Sequence, residues 1–377
     1  MAVPADRQYS NLSVAGTLVC QHRVVTPVVQ TTHLTVPGGV AGDVLVNDGT
    51  GVARWSASPW PVSTVNVGVT PAAVGFSADG SRAFVANANF STTSLGPSLT
   101  VVDTTTYLPV DTIVDDALTQ PSHVATSADG SRLYVSNGYG AGNSVVILDS
   151  ASYDVLGTIT GFNGPIPIAI VGLTAYVGNY GSNTISIVDL NTNAITGSIV
   201  VGTAPGALAL STDASFLYSA NWTDGGVGTG TVSVVSLATH TVIATITGFS
   251  APSGITTSDH HAYVSNTGFA KIDTTVSVVD LETHTIVKTL TTGLQPCGVA
   301  RVGRWVYVTN TNNPTAGSTT SFGTGTVSVI DAETNTVVPP TVVVGQVPVW
   351  VSGSPDGSTL WVANQYSNTV TVLEALR

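Results

Sequence analysis

The sequence predicts an all-β protein: a seven-bladed β-propeller closed by an N-terminal strand, preceded by a small hairpin segment. Three observations predict it. An aromatic residue, two small or β-branched residues and then Asn recur seven times, ending at Asn87, Asn137, Asn179, Asn221, Asn266, Asn310 and Asn364, at spacings of 42 to 54 residues. A period of that size, written in strand-like text alone, marks a radial array of sheets. Apolar residues make up 43% of the 377 and charged residues only 8%, so most of the chain can be buried. Thr, Val, Ser, Gly and Asn dominate where helix formers are scarce, which favours strands.

Taken in chain order, the first sixty residues carry a different text from the rest. Asn11 to Val19 outlines a short alternating strand pair. Farther on, Gly42 to Trp55 sets two short apolar strands around Asn47-Asp48-Gly49, a hairpin signal. Residues 1–60 therefore form one segment and 61–377 the propeller.

Each propeller unit reads as four strands, a to d. In the fifth, Pro252 opens strand a, which runs to Thr256, and Ser258-Asp259-His260 turns the chain into strand b, Ala262 to Asn266. Strand c follows from Thr275 to Asp280, then the turn Glu282-Thr283-His284 and strand d, Thr285 to Leu290. Other units open at Pro71, Pro121, Pro165, Pro205, Pro296 and Pro348. Asp79-Gly80, Asp129-Gly130 and Asp356-Gly357 supply the positive-φ residue that a two-residue a–b hairpin turn requires. Asp103, Asp149, Asp189, Asp280 and Asp331 close strand c, where a carboxylate accepts from the backbone N–H groups of the next turn.

The seventh unit stops after strand c, Thr369 to Leu373. Its fourth strand is expected from Val62 to Gly68, ahead of the first strand a, a pairing that removes the open edge of the ring. The a–b and c–d turns are short throughout, whereas the b–c loops run from about four residues to a dozen or more. Length variation confined to one face is the pattern of a binding face. Each b–c loop also carries an aromatic: Phe90, Tyr139, Tyr180, Trp222, Phe269, Phe322 and Tyr366. Such rings, set among Asn, Thr and Ser, suit sugar stacking or a protein anchor. Rings in these places also serve to plug the gaps between blades at the rim. With at least two of the seven as contact residues, the face recognises a ligand.

Charge and composition narrow the partners. A net charge of −12 with two lysines, Lys271 and Lys288, repels phosphate backbones and anionic lipid, so no nucleic acid and no membrane surface is expected. The N-terminus lacks the apolar core of a secretory signal, and the longest apolar run, Ile166 to Val177, is too short to span a bilayer and is broken by Pro167 and Gly172. Cys20 and Cys297 lie far apart, which points to buried free thiols.

Chemistry is sparse. His240 and His284 stand at equivalent c–d turn positions, matched elsewhere by Tyr107 and Asn193, and His260 and His261 lie at an a–b turn. Of the histidines, His123, near the start of an innermost strand, is placed to reach the central channel. No zinc spacing, nucleophile elbow, phosphate loop or calcium-loop string occurs. Strand a offers mostly Ala, Val, Gly, Ile and Thr, with Arg301 and Trp350 as exceptions. We therefore expect no catalytic residue, no metal and no cofactor.

Tyr307-Val308-Thr309-Asn310 and its relatives resemble the YVTN family of propeller repeats, over about residues 61–376. That resemblance implies architecture first and a surface or adhesion role second. The hairpin resembles the G-x-V-L-x-S-D-x-x-G-x-A-x-W segment of tail fibres in phages and contractile injection particles, over about residues 10–56. Gly42, Val44, Leu45, Asp48, Gly51, Ala53 and Trp55 match it, and Asn47 replaces the usual Ser. This second resemblance implies attachment to tail or baseplate proteins, a homotrimer and residence in a virion or phage-like particle, the propeller recognising a cell-surface glycan or protein. An ordinary hairpin packed on its own propeller accounts for the same residues. The alternatives are an exported cell-surface YVTN adhesion or surface-layer protein, and a propeller lyase or lactonase with His and Glu around a metal. Strand d ends on the b–c loop face, so the chain enters the propeller from the short-turn face. A fibre joined there would hold the aromatic loops outward.

Overall fold

The computed structural model describes residues 61–376, except 91–95, 139–141, 224–228, 269–272 and 313–322, together with the backbone of four short strands within residues 1–60. The chain divides into two units, Met1–Trp60 and Pro61–Ala375.

In the first unit, Asp43–Asn47 pairs antiparallel with Ala53–Ala57, setting Leu45 opposite Trp55 and Val44 opposite Ser56. A second pair joins Leu18–Cys20 to Arg23–Val25. Asp48 and Gly51 of the expected attachment hairpin, and the residues upstream of Leu18, lie outside the described residues.

The second unit is a seven-bladed β-propeller. Each blade is an antiparallel sheet of four strands in the order a-b-c-d. Blade 1 runs Pro71–Phe76, Arg82–Asn87, Ser98–Asp103 and Pro109–Ile113. Blade 7 consists of Pro348–Gly353, Thr359–Asn364 and Thr369–Glu374, completed by Pro61–Asn66. Thr64 faces Thr371, Val65 faces Val370, and Pro61 pairs with Leu373 at the short-turn end of the blade. The expected closure is therefore present, with the strand beginning one residue earlier and ending two residues earlier than the text suggests.

The repeated aromatic of strand b is the core of every blade. Phe84, Tyr134, Tyr176, Tyr218, Tyr263, Tyr307 and Trp361 are all buried. Burying an aromatic ring removes a large apolar area from water, and the edge-to-face contact of Trp361 with Phe76, 5.8 Å between centroids, binds blade 7 to blade 1.

The repeated Asn ties each blade together at its b–c end. In blade 6, Asn310 Nδ2 donates to Thr326 Oγ1 at 3.1 Å and Ser328 Oγ at 3.0 Å on strand c, while Oδ1 accepts from Gly293 N–H at 3.0 Å in the incoming d–a connection. Blade 5 repeats the arrangement with Asn266, Thr275, Ser277 and Ser250. In these two blades three segments supply the partners of the buried amide, whereas in blades 1 and 7 the Oδ1 atoms of Asn87 and Asn364 are buried without one.

Hydroxyl groups stitch neighbouring blades near the axis. Ser136 Oγ donates to Ile166 O at 2.7 Å, Ser265 Oγ to Cys297 O at 2.6 Å, and Ser352 Oγ to Val74 O at 2.7 Å. These occupy carbonyls of the innermost strands, which have no further strand inside them.

The turns depart from expectation in one respect. Ser77 N–H donates to Arg82 O, so the a–b turn encloses four residues rather than two. Gly80 does hold positive φ, at 71°. The width follows from Asp79: its carboxylate accepts from Ser77 Oγ at 2.6 Å and from Ser81 N–H at 3.0 Å, building an internal bridge that a two-residue turn has no room for. These bonds, Ser77 first, hold the Asp79 carboxyl down at about 2, and Asp129 and Asp213 are held there likewise. At the c–d turns the expected capping is found: Asp103 Oδ1 accepts from Thr105 and Thr106 N–H at 3.0 and 2.9 Å, and Asp149 and Asp280 do the same.

Candidate functional site

Strand direction places the b–c loops and d–a connections on one face and the a–b and c–d turns on the other. The two faces differ in charge. Among the described residues, the short-turn face carries carboxylates in blade after blade: Asp79, Asp129, Asp213, Asp259 and Asp356 in a–b turns, Asp103, Asp149, Asp189, Asp280 and Asp331 at the ends of strand c. On the opposite side the described carboxylates are Asp115, Asp116 and Asp273. Asp273 is absorbed locally, accepting from Thr274 N–H at 2.7 Å and Thr275 Oγ1 at 2.7 Å. Among its described residues the b–c face thus carries little charge and many hydroxyls.

Four of the seven expected rings are described. Phe90 and Tyr366 stand exposed, at 47% and 45% of their surface. Neither is a rim plug. Tyr180 and Trp222 are half-buried and meet across the boundary of blades 3 and 4, their centroids 6.0 Å apart and their planes inclined by 33°. Tyr139, Phe269 and Phe322 lie outside the described residues. The structure therefore brings one adjacent pair together and leaves two rings open on other blades.

Beside that pair a cleft of about 290 Å³ opens between blades 3 and 4. The connection between the blades, Val200 to Thr203, forms one wall, and Thr231, Ser233 and Thr245 of the outer strands of blade 4 form the other. Trp222 lies in the chain between two lining residues, Asn221 and Thr223. None of the lining side chains is ionisable. No sequence signal marked this cleft, because it depends on how far apart two blades stand.

Near the axis, His123 of blade 2 and Trp350 of blade 7 meet edge to face at 5.0 Å, although blade 1 stands between their blades. The small Ala73 on the innermost strand of blade 1 packs in one cluster with Trp350. Nδ1 of His123 is inaccessible and without a partner. Burial lowers its pKa to about 4, so the ring is neutral near pH 7. Among the described residues, no three His, Cys, Asp or Glu side chains gather to hold a metal. Cys297 is a free thiol on the innermost strand of blade 6, and burial raises its pKa.

Comparison with solved structures finds a propeller of the same fold. A chain of hydrazine synthase from Kuenenia stuttgartiensis superposes with a TM-score of 0.68, at 21% identity, over 90% of this chain and 99% of that one. At that identity the likeness is one of fold. No protein-family model and no curated protein matches the chain.

Proposed function

We propose that this propeller is a recognition module whose b–c face meets a cell-surface glycan or protein, and that residues 1–60 attach it to a larger particle. One observation carries the reading. The face with variable loops bears exposed Phe90 and Tyr366 and little charge, while the face where strand d begins, at Pro61, bears the repeated carboxylates. Rigid aromatics on a neutral, hydroxyl-rich surface give contact area at small entropic cost. The chain enters the propeller at Pro61, on the side opposite the variable loops.

In the finer form of the proposal the chain is a fibre or receptor-binding subunit of a phage-like extracellular particle. The paired strands Asp43–Asn47 and Ala53–Ala57 then assemble as a homotrimer, since a two-stranded hairpin is too small to bury its own apolar stripe. Sedimentation of the full-length chain and electron microscopy of its native assembly test this. A trimer seated on a particle through residues 1–60 supports it. A full-length chain that is monomeric and never found on a particle overturns it.

A further inference from the structure

The cleft between blades 3 and 4 has a chemistry more specific than the face around it. Its floor includes two hydroxyls, of Thr231 and Ser233, that accept hydrogen bonds from the chain. Ser233 Oγ accepts from Asn221 Nδ2 at 2.9 Å and from Gly202 N–H at 3.2 Å, so its own proton is left to donate. Thr231 Oγ1 accepts from Asn221 Nδ2 at 3.0 Å. Asn221 is itself held in place, its Oδ1 accepting from Ser219 Oγ at 2.9 Å.

This arrangement is shared with blade 1, where Gly68 N–H donates to Thr100 Oγ1 at 3.2 Å, and departs from the one in blades 5 and 6. There the connection N–H donates to the repeated Asn, from Ser250 to Asn266 and from Gly293 to Asn310. In blade 4 the connection donates to strand c instead. Gly202 sits close over the floor, and a Cβ there would lie 2.4 Å from Thr231 Oγ1. The backbone can approach the hydroxyls and leave the cleft open because no side chain intervenes.

The walls add Val200, Val201 and Val242. Oriented hydroxyls and small apolar patches, with no charge and an aromatic pair beside them, match the surface of a sugar ring, whose hydroxyls donate and accept while its C–H faces are apolar. The volume lies near the lower end of the range for small-molecule pockets, roughly 300–1,000 Å³. Among the described lining residues a charged ligand finds no counter-ion, and its charge would be poorly solvated. We infer that this cleft is the carbohydrate subsite of the b–c face, taking one neutral hexose or N-acetylhexosamine unit of a glycan, with Trp222 next in the chain to its lining residues Asn221 and Thr223. The inference rests on the recognition-face reading and narrows it to one ligand class and one place.

The test uses the full-length chain on an array of neutral oligosaccharides alongside sialylated and sulfated ones, followed by titration calorimetry with the tightest binder. Binding to neutral glycans is expected. Trp222→Ala, and Thr245→Glu on the exposed outer strand, are each expected to weaken it at least about tenfold, the loss of one stacking or hydrogen-bonding contact. Thr245→Glu changes no buried residue, so it keeps the test valid if Trp222→Ala folds poorly. The double variant Phe90→Ala/Tyr366→Ala, on blades 1 and 7, removes the exposed rings of the face and is expected to weaken binding less than either cleft variant. Leu173→Ser, exposed in an a–b turn of the opposite face, is expected to bind within about twofold of the parent, a change below about 0.5 kcal/mol. Preference for sialylated or sulfated glycans, or no array binding, overturns the cleft assignment. Binding lost in the Phe90/Tyr366 variant but kept in the cleft variants overturns the cleft and leaves the face reading standing. Binding unaffected by either set overturns both.

Discussion

Tyr176 of blade 3 and His240 of blade 4 meet across the blade boundary, the hydroxyl 3.1 Å from Nε2. His240 occupies the c–d turn at a φ of +56°. The same turn position contacts the strand b aromatic of the preceding blade elsewhere in the ring. Tyr107 lies 6.0 Å from Trp361, Tyr153 lies 6.0 Å from Phe84, and Asn335 Oδ1 accepts from Tyr263 OH at 2.5 Å. One turn residue thus does two things: it adopts the left-handed conformation the turn needs and it latches the neighbouring blade.

His240→Asn is therefore expected to be tolerated, within about 0.5 kcal/mol, because Asn accepts positive φ readily and Asn335 already serves as such a latch. His240→Val is expected to cost about 2 kcal/mol, combining a strained β-branched residue with a lost contact. Urea unfolding of the two variants beside the parent checks the order. Equal costs would mean that the backbone conformation does not matter here.

Asn310 gives a second prediction. It is fully buried and joins strand b to strand c and to the incoming connection. Asn310→Ala removes the side chain's hydrogen bonds to Thr326 and Ser328 and strands the Gly293 N–H, at an expected cost of about 2–4 kcal/mol. Asn310→Asp keeps the acceptor and loses the donor, and its buried carboxylate against two hydroxyl oxygens should destabilise at least as much. Thermal unfolding measures both. A loss under about 0.5 kcal/mol for either would show that the repeated Asn is dispensable.

These contacts mark what was legible in the text and what was not. The period and the aromatic-x-x-Asn signature locate all the blades, and the strands of the fifth unit agree with the structure to within one residue at each end. Strand d of blade 7 is legible because the last unit lacks one and Pro61–Asn66 supplies it. The sequence marks Asn310 and Trp350 as residues to explain and does not name their partners. Those lie on other segments, and the meeting of His123 with Trp350 joins positions at opposite ends of the ring's text. Local periodicity specifies which elements form; ring closure decides which distant side chains touch. The cleft beside Trp222 belongs to the second kind.

Gly298 reports how tightly blades 6 and 7 approach near the axis. A Cβ there would fall 2.8 Å from Trp350 Cα and 3.0 Å from Val349 O, both backbone atoms that cannot swing away. Gly298→Ala should destabilise by about 1–3 kcal/mol through overpacking. It should also alter the near-ultraviolet circular dichroism of Trp350. An unchanged spectrum and unchanged stability would place the two strands farther apart than described.

His123 predicts how stability responds to acid. Its pKa is about 4 in the fold against an ordinary 6.5, so between those values the unfolded chain binds the proton and the folded one does not. Stability therefore rises with pH across that window and falls as pH drops from 6.5 through 4. His123→Phe keeps a ring beside Trp350 and removes the titration. The stability difference between variant and parent should shift in the variant's favour by up to about 3 kcal/mol from pH 7 to pH 4. The exposed carboxylates titrate in both proteins and cancel. Parallel pH profiles would show that His123 is reached by water.

Closure of the ring rests on one short strand. Val65 is 2% exposed and packs with Val74, Val85 and Trp361, so Pro61–Asn66 both completes the hydrogen bonding of Thr369–Glu374 and fills the joint between blades 7 and 1. Val65→Asp leaves the backbone pairing possible and places a charge in that joint, at an expected cost of about 3–5 kcal/mol. Hydrogen exchange separates this from general loosening. Loss of protection should begin in blades 7 and 1, because an unclosed ring exposes the edge of Thr369–Glu374 and the face of blade 1 first. Blade 4, across the ring, should keep its protection until global unfolding. Uniform loss in all blades would mean that the ring opens as one cooperative unit and that this strand is no more a closing element than any other.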